Sequence, residues 1–331
     1  MAYSSGSLIL DDDYNIFVTG NAAGTGDNNV ANVNTVWGAG TGDKGYGQSG
    51  TLSPVSTGTV ITATQWANLL NRISVIANHQ GSSITSVTNP TVGDTITAFA
   101  ALQGNINTVF NNRLNAAASG TDITSGGSTS GTTSWYVQAQ TTTTVTFANA
   151  NAARYFFNAG GMIRLTPTRS GGSNTKSQNW NALATACGTL AFTGGGTRTI
   201  ASTEYTGTNK IGGSGTTNIL ASTTGFYNLT PGAAATVIFK QFATGGAYYV
   251  LNFIEVDVAL NSASTQLTFR MTFRDDAIDR TTLPSGASNL LDRVDGTTGS
   301  VTVARQPSTT HISNTWGTPT LSSSIAYIVG P

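Results

Sequence analysis

Gln266-Leu-Thr-Phe-Arg-Met-Thr-Phe-Arg274 decides the class of fold. Apolar Leu267, Phe269, Met271 and Phe273 alternate with Gln266, Thr268, Arg270, Thr272 and Arg274 without a slip. A period of two sends the sets to opposite faces, so this is a strand with one face buried and one in water. Similar β-branched and aromatic runs recur outward from it: Thr141 to Phe147, Met162 to Leu165, Thr236 to Phe239 and Ala247 to Ala259. In the last run Tyr249, Leu251 and Phe253 are expected on one face and Tyr248, Val250 and Asn252 on the other. Gly and Pro interrupt these runs at short intervals, as in a sandwich. Residues 135–331 therefore read as an antiparallel β-sandwich domain, with a short helical turn at Trp180 to Ala186.

Upstream the period changes. Thr62-Ala-Thr-Gln65 has the form of a capping box, and Gly81 supplies a stop. Between them Trp66, Leu69, Leu70, Ile73, Ile76 and Ala77 form one helical stripe. A second helix is expected from about Thr95 to Leu114, with Phe99, Leu102, Ile106, Val109 and Phe110 on its apolar face. Pro90 separates the two. Trp66, Leu69, Ile73 and Ile76, and likewise Phe99, Leu102, Ile106 and Val109, fit a and d positions of two heptads. Two readings are open: a helical hairpin packed within the chain, or a short parallel bundle between identical subunits. Residues 116–134, rich in Ala, Ser, Gly and Thr, read as a linker. Residues 1–60 are Gly- and Asn-rich with apolar islands at Leu8–Leu10, Ile16–Val18 and Val33–Trp37, read as two or three short strands ordered by a partner. The expected fold is mainly β: an irregular N-terminal attachment segment (1–60), a small helical region (61–115), the linker, and the sandwich.

Composition restricts function. Charged residues are 9% of the 331 and net charge is zero, against roughly 25% charged in ordinary globular proteins. Without a basic excess, neither nucleic acid nor an anionic membrane surface is an expected partner. The N-terminus lacks the basic and apolar regions of a signal peptide, and no stretch suits a membrane span. Cys187 is the sole cysteine and His79 and His311 are the two histidines. Neither histidine has metal-ligand spacing. His79, in the last turn of its helix, is expected to favour the dipole as a cation. Asp11-Asp-Asp13 and Asp275, Asp276 and Asp279 are the acidic clusters. The second, beside Arg270, Arg274 and Arg280, reads as a surface ion-pair network. Gly40-Thr-Gly-Asp-Lys-Gly45 matches a dinucleotide fingerprint formally, but no helical period follows it, so it reads as a turn-rich loop. No catalytic residue, metal or cofactor is expected. Tyr136, Tyr205, Tyr227, Tyr248 and the five tryptophans are the candidates for stacking on sugars.

Thr146-Phe-Ala-Asn-Ala-Asn-Ala-Ala-Arg-Tyr-Phe-Phe-Asn-Ala-Gly-Gly-Met-Ile-Arg-Leu165 resembles a segment of virion structural proteins of tailed bacteriophages, cyanophage-like ones in particular. Lys44-Gly-Tyr-Gly-Gln48, Val60 to Trp66 and Asn78-His-Gln-Gly81 resemble the N-terminal half of the same proteins. The resemblance implies a particle component with no catalytic residues. Within its most specific piece, Arg154, Tyr155, Phe156, Phe157, Gly160 and Gly161, the two phenylalanines are expected as buried anchors in a glycine-ended turn. The expectation is a non-enzymatic, homotrimeric tail-fibre, baseplate or neck protein whose partners are itself, other virion proteins and a host surface glycan. A glycan-binding module and a capsid decoration protein are the alternatives.

Overall fold

A computed structural model describes residues 11–89, 91, 99–244, 249–276 and 293–329. Four helices come first: α1 (Asp11–Thr19), α2 (Val33–Trp37), α3 (Ala63–Gln80) and α4 (Phe99–Asn111). Twelve strands and two more helices follow among the described residues: β1 (Ser119–Ile123), β2 (Ser128–Gly131), β3 (Gln138–Thr146), α5 (Ala150–Asn158), β4 (Met162–Ser170), α6 (Thr175–Cys187), β5 (Thr189–Ile200), β6 (Thr203–Ile211), β7 (Ile219–Leu220), β8 (Thr236–Phe242), β9 (Phe253–Leu260), β10 (Gln266–Arg274), β11 (Thr297–Pro307) and β12 (Thr320–Ile328).

The strands form two antiparallel sheets. One has the order β1-β11-β4-β5-β6, with β2 also on β11; the other has the order β12-β3-β10-β9-β8-β7. β10 is central to the second sheet, where Phe269 faces Thr143 on one side and Val258 on the other. Its alternation is realised: Leu267, Phe269, Met271 and Phe273 are buried. Across the sandwich Phe192 meets Phe269 edge-on, with centroids 5.3 Å apart. Elsewhere the interior is hydroxylic. Ser300 donates to Thr141 at 2.8 Å and Thr302 to Thr143 at 3.2 Å, joining β11 to β3. The threonine run of β3 is thus split: Thr141 and Thr143 face in and satisfy each buried hydroxyl across the sheets, while Thr142, Thr144 and Thr146 face out.

α3 begins and ends where its signals lie. Thr62 and Gln65 form the reciprocal capping box, and Gly81 adopts the left-handed conformation at φ 70°. Trp66, Leu69, Ile73, Ile76, Leu102, Ile106 and Val109 are at most 1% exposed, and Phe99 is partly buried. They are covered by this chain itself, α3 lying on α4 and both on α2. Among the described residues these two stripes face each other within the chain, as in the hairpin reading.

The N-terminal segment differs from expectation. Ile16–Val18 and Val33–Trp37 lie in helices, not strands. Three aspartates in the first turn of α1 suit its N-terminal dipole, and Asn32 caps α2 by accepting from Thr35 N–H. The segment is ordered within the chain: Phe17 packs on Phe99 and Trp66 at 4.8 and 6.3 Å. Asparagines complete the attachment. Asn15 exchanges two hydrogen bonds with the backbone of Val55, Asn34 with Leu52, and Asn105 with Thr85. A side-chain amide offers both a donor and an acceptor, so one Asn on a helix pairs with an extended residue as a neighbouring strand would. Leu8–Leu10 lie outside the described residues.

The expected linker 116–134 carries β1 and β2, both paired to β11. Its Ser, Thr and Gly residues are compatible with short edge strands, whose stability comes from the β11 ladder. The run from Ala247 becomes a strand only at Phe253. Tyr249 and Val250 are in a turn, 247 and 248 lie outside the described residues, and Phe253 faces outward while Ile254, Val256, Val258 and Leu260 are buried. One contiguous hydrophobic cluster runs from Tyr14 to Leu321 and joins the helices to the sandwich.

Candidate functional site

Several of the reactive side chains among the described residues are engaged structurally. Cys187 is buried and its thiol is pushed up to about 12 by desolvation. Among the described residues no three His, Cys, Asp or Glu gather to hold a metal. The second acidic cluster is not a surface network throughout. Asp275 and Lys176 pair at 2.8 Å with both side chains fully buried, tying α6 to the end of β10. Arg274 pairs with Asp276 and Arg270 with Asp257 nearer the surface. Asp279 and Arg280 lie outside the described residues.

The motifs singled out in the sequence converge. The stretch 150–158 is a helix, not a turn, capped by Asn149 accepting from Ala152 N–H. Its Arg154 donates to the carbonyls of Gly42, Ala39 and Lys44 at 3.0–3.1 Å, and Asn158 donates to Gly45 at 3.0 Å. The loop with the formal dinucleotide fingerprint is therefore held by α5, and its carbonyls, not its amides, face the clamp. That orientation suits cationic donors and opposes a phosphate. Tyr155 lies against Gly47 (φ +68°), where an added Cβ would stand 2.3 Å from the ring. Phe156 and Phe157 are fully buried, as expected of anchors. Gly160 turns the chain at φ +99° into β4, passing so close to Ala116 that a Cβ would lie 2.5 Å from that methyl.

The neighbouring Tyr46 reaches the third motif. Gln80 donates to its hydroxyl at 3.0 Å, which in turn donates to the Arg113 carbonyl at 2.8 Å. Gln48 exchanges bonds with Ser313, reaching the loop before β12. Arg198, 1% exposed, donates to Phe157 at 2.6 Å and to Gly195, and burial pushes it down to about 10. Lys44 to Gln48, Asn78 to Gly81 and Ala153 to Gly161 thus form one joint between the helices and the sandwich, buried at Tyr46, Gln48, His79, Gln80 and Phe156 to Gly161.

His79 belongs to that joint and is not a dipole cation. It is 2% exposed and edge-on to Tyr46. Desolvation pushes its pKa down to about 4, opposed only in part by a hydrogen bond with Ala159. The unfolded chain holds the proton more tightly, near pH 6.5. The neutral imidazole's contribution is therefore complete above pH 6.5 and is lost as pH falls towards 4, by about 3 kcal/mol. Denaturant midpoints of wild type and His79→Gln from pH 7.5 to 4 are expected to converge as the pH drops; a constant gap would refute a neutral buried His79.

A second feature is open to solvent. α1, α3, the 50–53 loop and His311 enclose a cleft of about 730 Å³ that Trp37 also lines. Gln65, Asn68, Arg72 and Val75 descend α3 at helical spacing, on the side away from its apolar stripe. Arg72 lies over Trp37 at 3.9 Å and donates to Gly50 at 3.0 Å. The other four tryptophans, 66, 135, 180 and 316, are at most 1% exposed, Tyr205 is buried, and Tyr227 donates to Asn158 at 2.8 Å. Tyr136 is half-buried, and Tyr248 lies outside the described residues. The polar face of α3 was visible as Asn, Gln and Arg at helical intervals; the arrival of Trp37, some thirty residues earlier, had no local signal. No family model, curated protein or solved structure matches the chain. No described helix is long and apolar enough to cross a membrane.

Proposed function

We propose that the chain is a non-enzymatic structural component of a tailed-phage particle, a tail-fibre, baseplate or neck protein that acts by assembly. The observation that carries this reading is the buried joint. The segments that resemble virion structural proteins lie far apart in sequence, yet their side chains and backbones bond to one another. Such a joint ties the helical layer to the sandwich, with Arg154, Asn158 and Gln80 spent on holding the chain's own backbone and side chains. The use of scarce charges as internal ties, Arg113 to Asp43 at 2.7 Å and Lys176 to Asp275 at 2.8 Å, favours the same reading. The proposed homotrimer uses surfaces other than the apolar stripes of α3 and α4, which the chain itself covers.

The test is peptide mass spectrometry of gradient-purified particles of the phage encoding this chain, with immunogold labelling. Co-purification at a fixed copy number and label at one place on the particle are expected. Recovery only in the particle-free lysate would overturn the proposal. Light scattering of the purified chain tests the trimer, and a monomeric mass would remove it.

A further inference from the structure

We infer that the cleft beside α3 binds an acidic saccharide, a glycan bearing uronate carboxylates, with Arg72 as the carboxylate ligand. This does not rest on the particle assignment and is measured on the isolated chain. Arg72 is half-buried, makes no ion pair among the described residues, and is held in place by Trp37 and the Gly50 carbonyl. Among the described residues only one of its nitrogens has a protein acceptor, leaving the rest of a planar donor fork for a carboxylate. No Asp or Glu is among the described residues lining the cleft, so its field is not neutralised from within.

The remaining walls suit hydroxyl groups. Asn68 and Asn71 are exposed, and their amides have no hydrogen-bond partner among the described residues. Each can donate to one hydroxyl and accept from another. The volume of about 730 Å³ falls within the roughly 300–1,000 Å³ usual for small-ligand sites. A single arginine among amides, without lysines, fits one carboxylate per few sugar hydroxyls better than a densely charged polyphosphate. The site is on the helical layer, and of the aromatic candidates for sugar stacking it takes only Trp37.

Calorimetric titration of the full chain with hexagalacturonate and with maltohexaose, at low salt, tests the inference. Hexagalacturonate is expected to bind at least tenfold more tightly than the neutral hexamer and to weaken as salt rises. Arg72→Gln is expected to weaken it at least tenfold. Because Arg72 also packs on Trp37, Asn71→Asp serves as the second variant: it places an anion at an exposed position, and a several-fold loss is expected without a change in melting temperature. No measurable binding of hexagalacturonate, equal binding of maltohexaose, or an unaltered Asn71→Asp affinity would each overturn the inference. Failure here leaves the particle assignment intact, and absence from particles leaves the binding intact.

Discussion

Phe157→Ala is expected to lower the unfolding free energy by about 3–5 kcal/mol. Phe157 is fully buried where α5 enters the sandwich. Its ring stacks on Phe226 at 4.9 Å and meets Phe156, Phe147 and Phe192 at 5.1, 6.0 and 6.2 Å. Four aromatic neighbours cannot all move into the vacated space, because each is itself fixed by the closely packed core, so a cavity remains. Its backbone carbonyl also accepts from buried Arg198 at 2.6 Å, so relaxation of α5 towards the cavity would strain that bond. Guanidinium denaturation followed by tryptophan fluorescence provides the measurement. A variant with unchanged midpoint and slope would show that the motif is not part of the core. Tyr155→Ala, at a half-buried position against the 44–48 loop, is the useful comparison and should cost less.

Lys176→Met is expected to cost a similar amount, about 3–5 kcal/mol, for an electrostatic reason. Lys176 and Asp275 are both fully buried and lie 2.8 Å apart. Removing the ammonium leaves a carboxylate without its counter-charge in a low-dielectric setting, whereas methionine preserves most of the packing of the stem. The double variant Lys176→Met with Asp275→Leu removes both charges and should recover most of the loss, since paired buried ions are often replaceable by apolar groups. Chemical denaturation of the two single variants and the double variant gives the coupling energy. Equal losses in the single and double variants would mean that the two side chains do not act as a pair.

Several of the few charges serve as ties within the chain, as in Lys176 to Asp275 and Arg113 to Asp43. Arg72 in the cleft has no such ion pair among the described residues. The outer face of the second sheet offers hydroxyls and amides, as in the Gln140 to Thr272 bond of 2.8 Å, and its Lys240 and Arg270 are paired with Glu255 and Asp257.

What the sequence by itself determined was whatever is written in neighbouring residues. The alternation at 266–274, the capping box of Thr62 with Gln65, and the left-handed stop at Gly81 depend on contacts within a few positions, and each lies where it was read. Strand existence was legible at β3, β4, β8 and β10 because one face of each is apolar or β-branched. Tertiary structure decided the rest. Ile16–Val18 and Val33–Trp37 are too short to show a period, and packing against α3 and α4 makes them helical. The 116–134 stretch has the composition of a linker, yet β11 supplies the ladder that makes it two strands. His79 looked like a cation at a helix end, but Tyr46, from another segment, packs edge-on against it, and burial pushes its pKa down against the bond with Ala159. The cleft depends on α2 carrying Trp37 to the flank of α3. Local patterns specify which face of an element is apolar; which partner covers that face, and which side chains then meet in water or out of it, is settled only when distant segments pack.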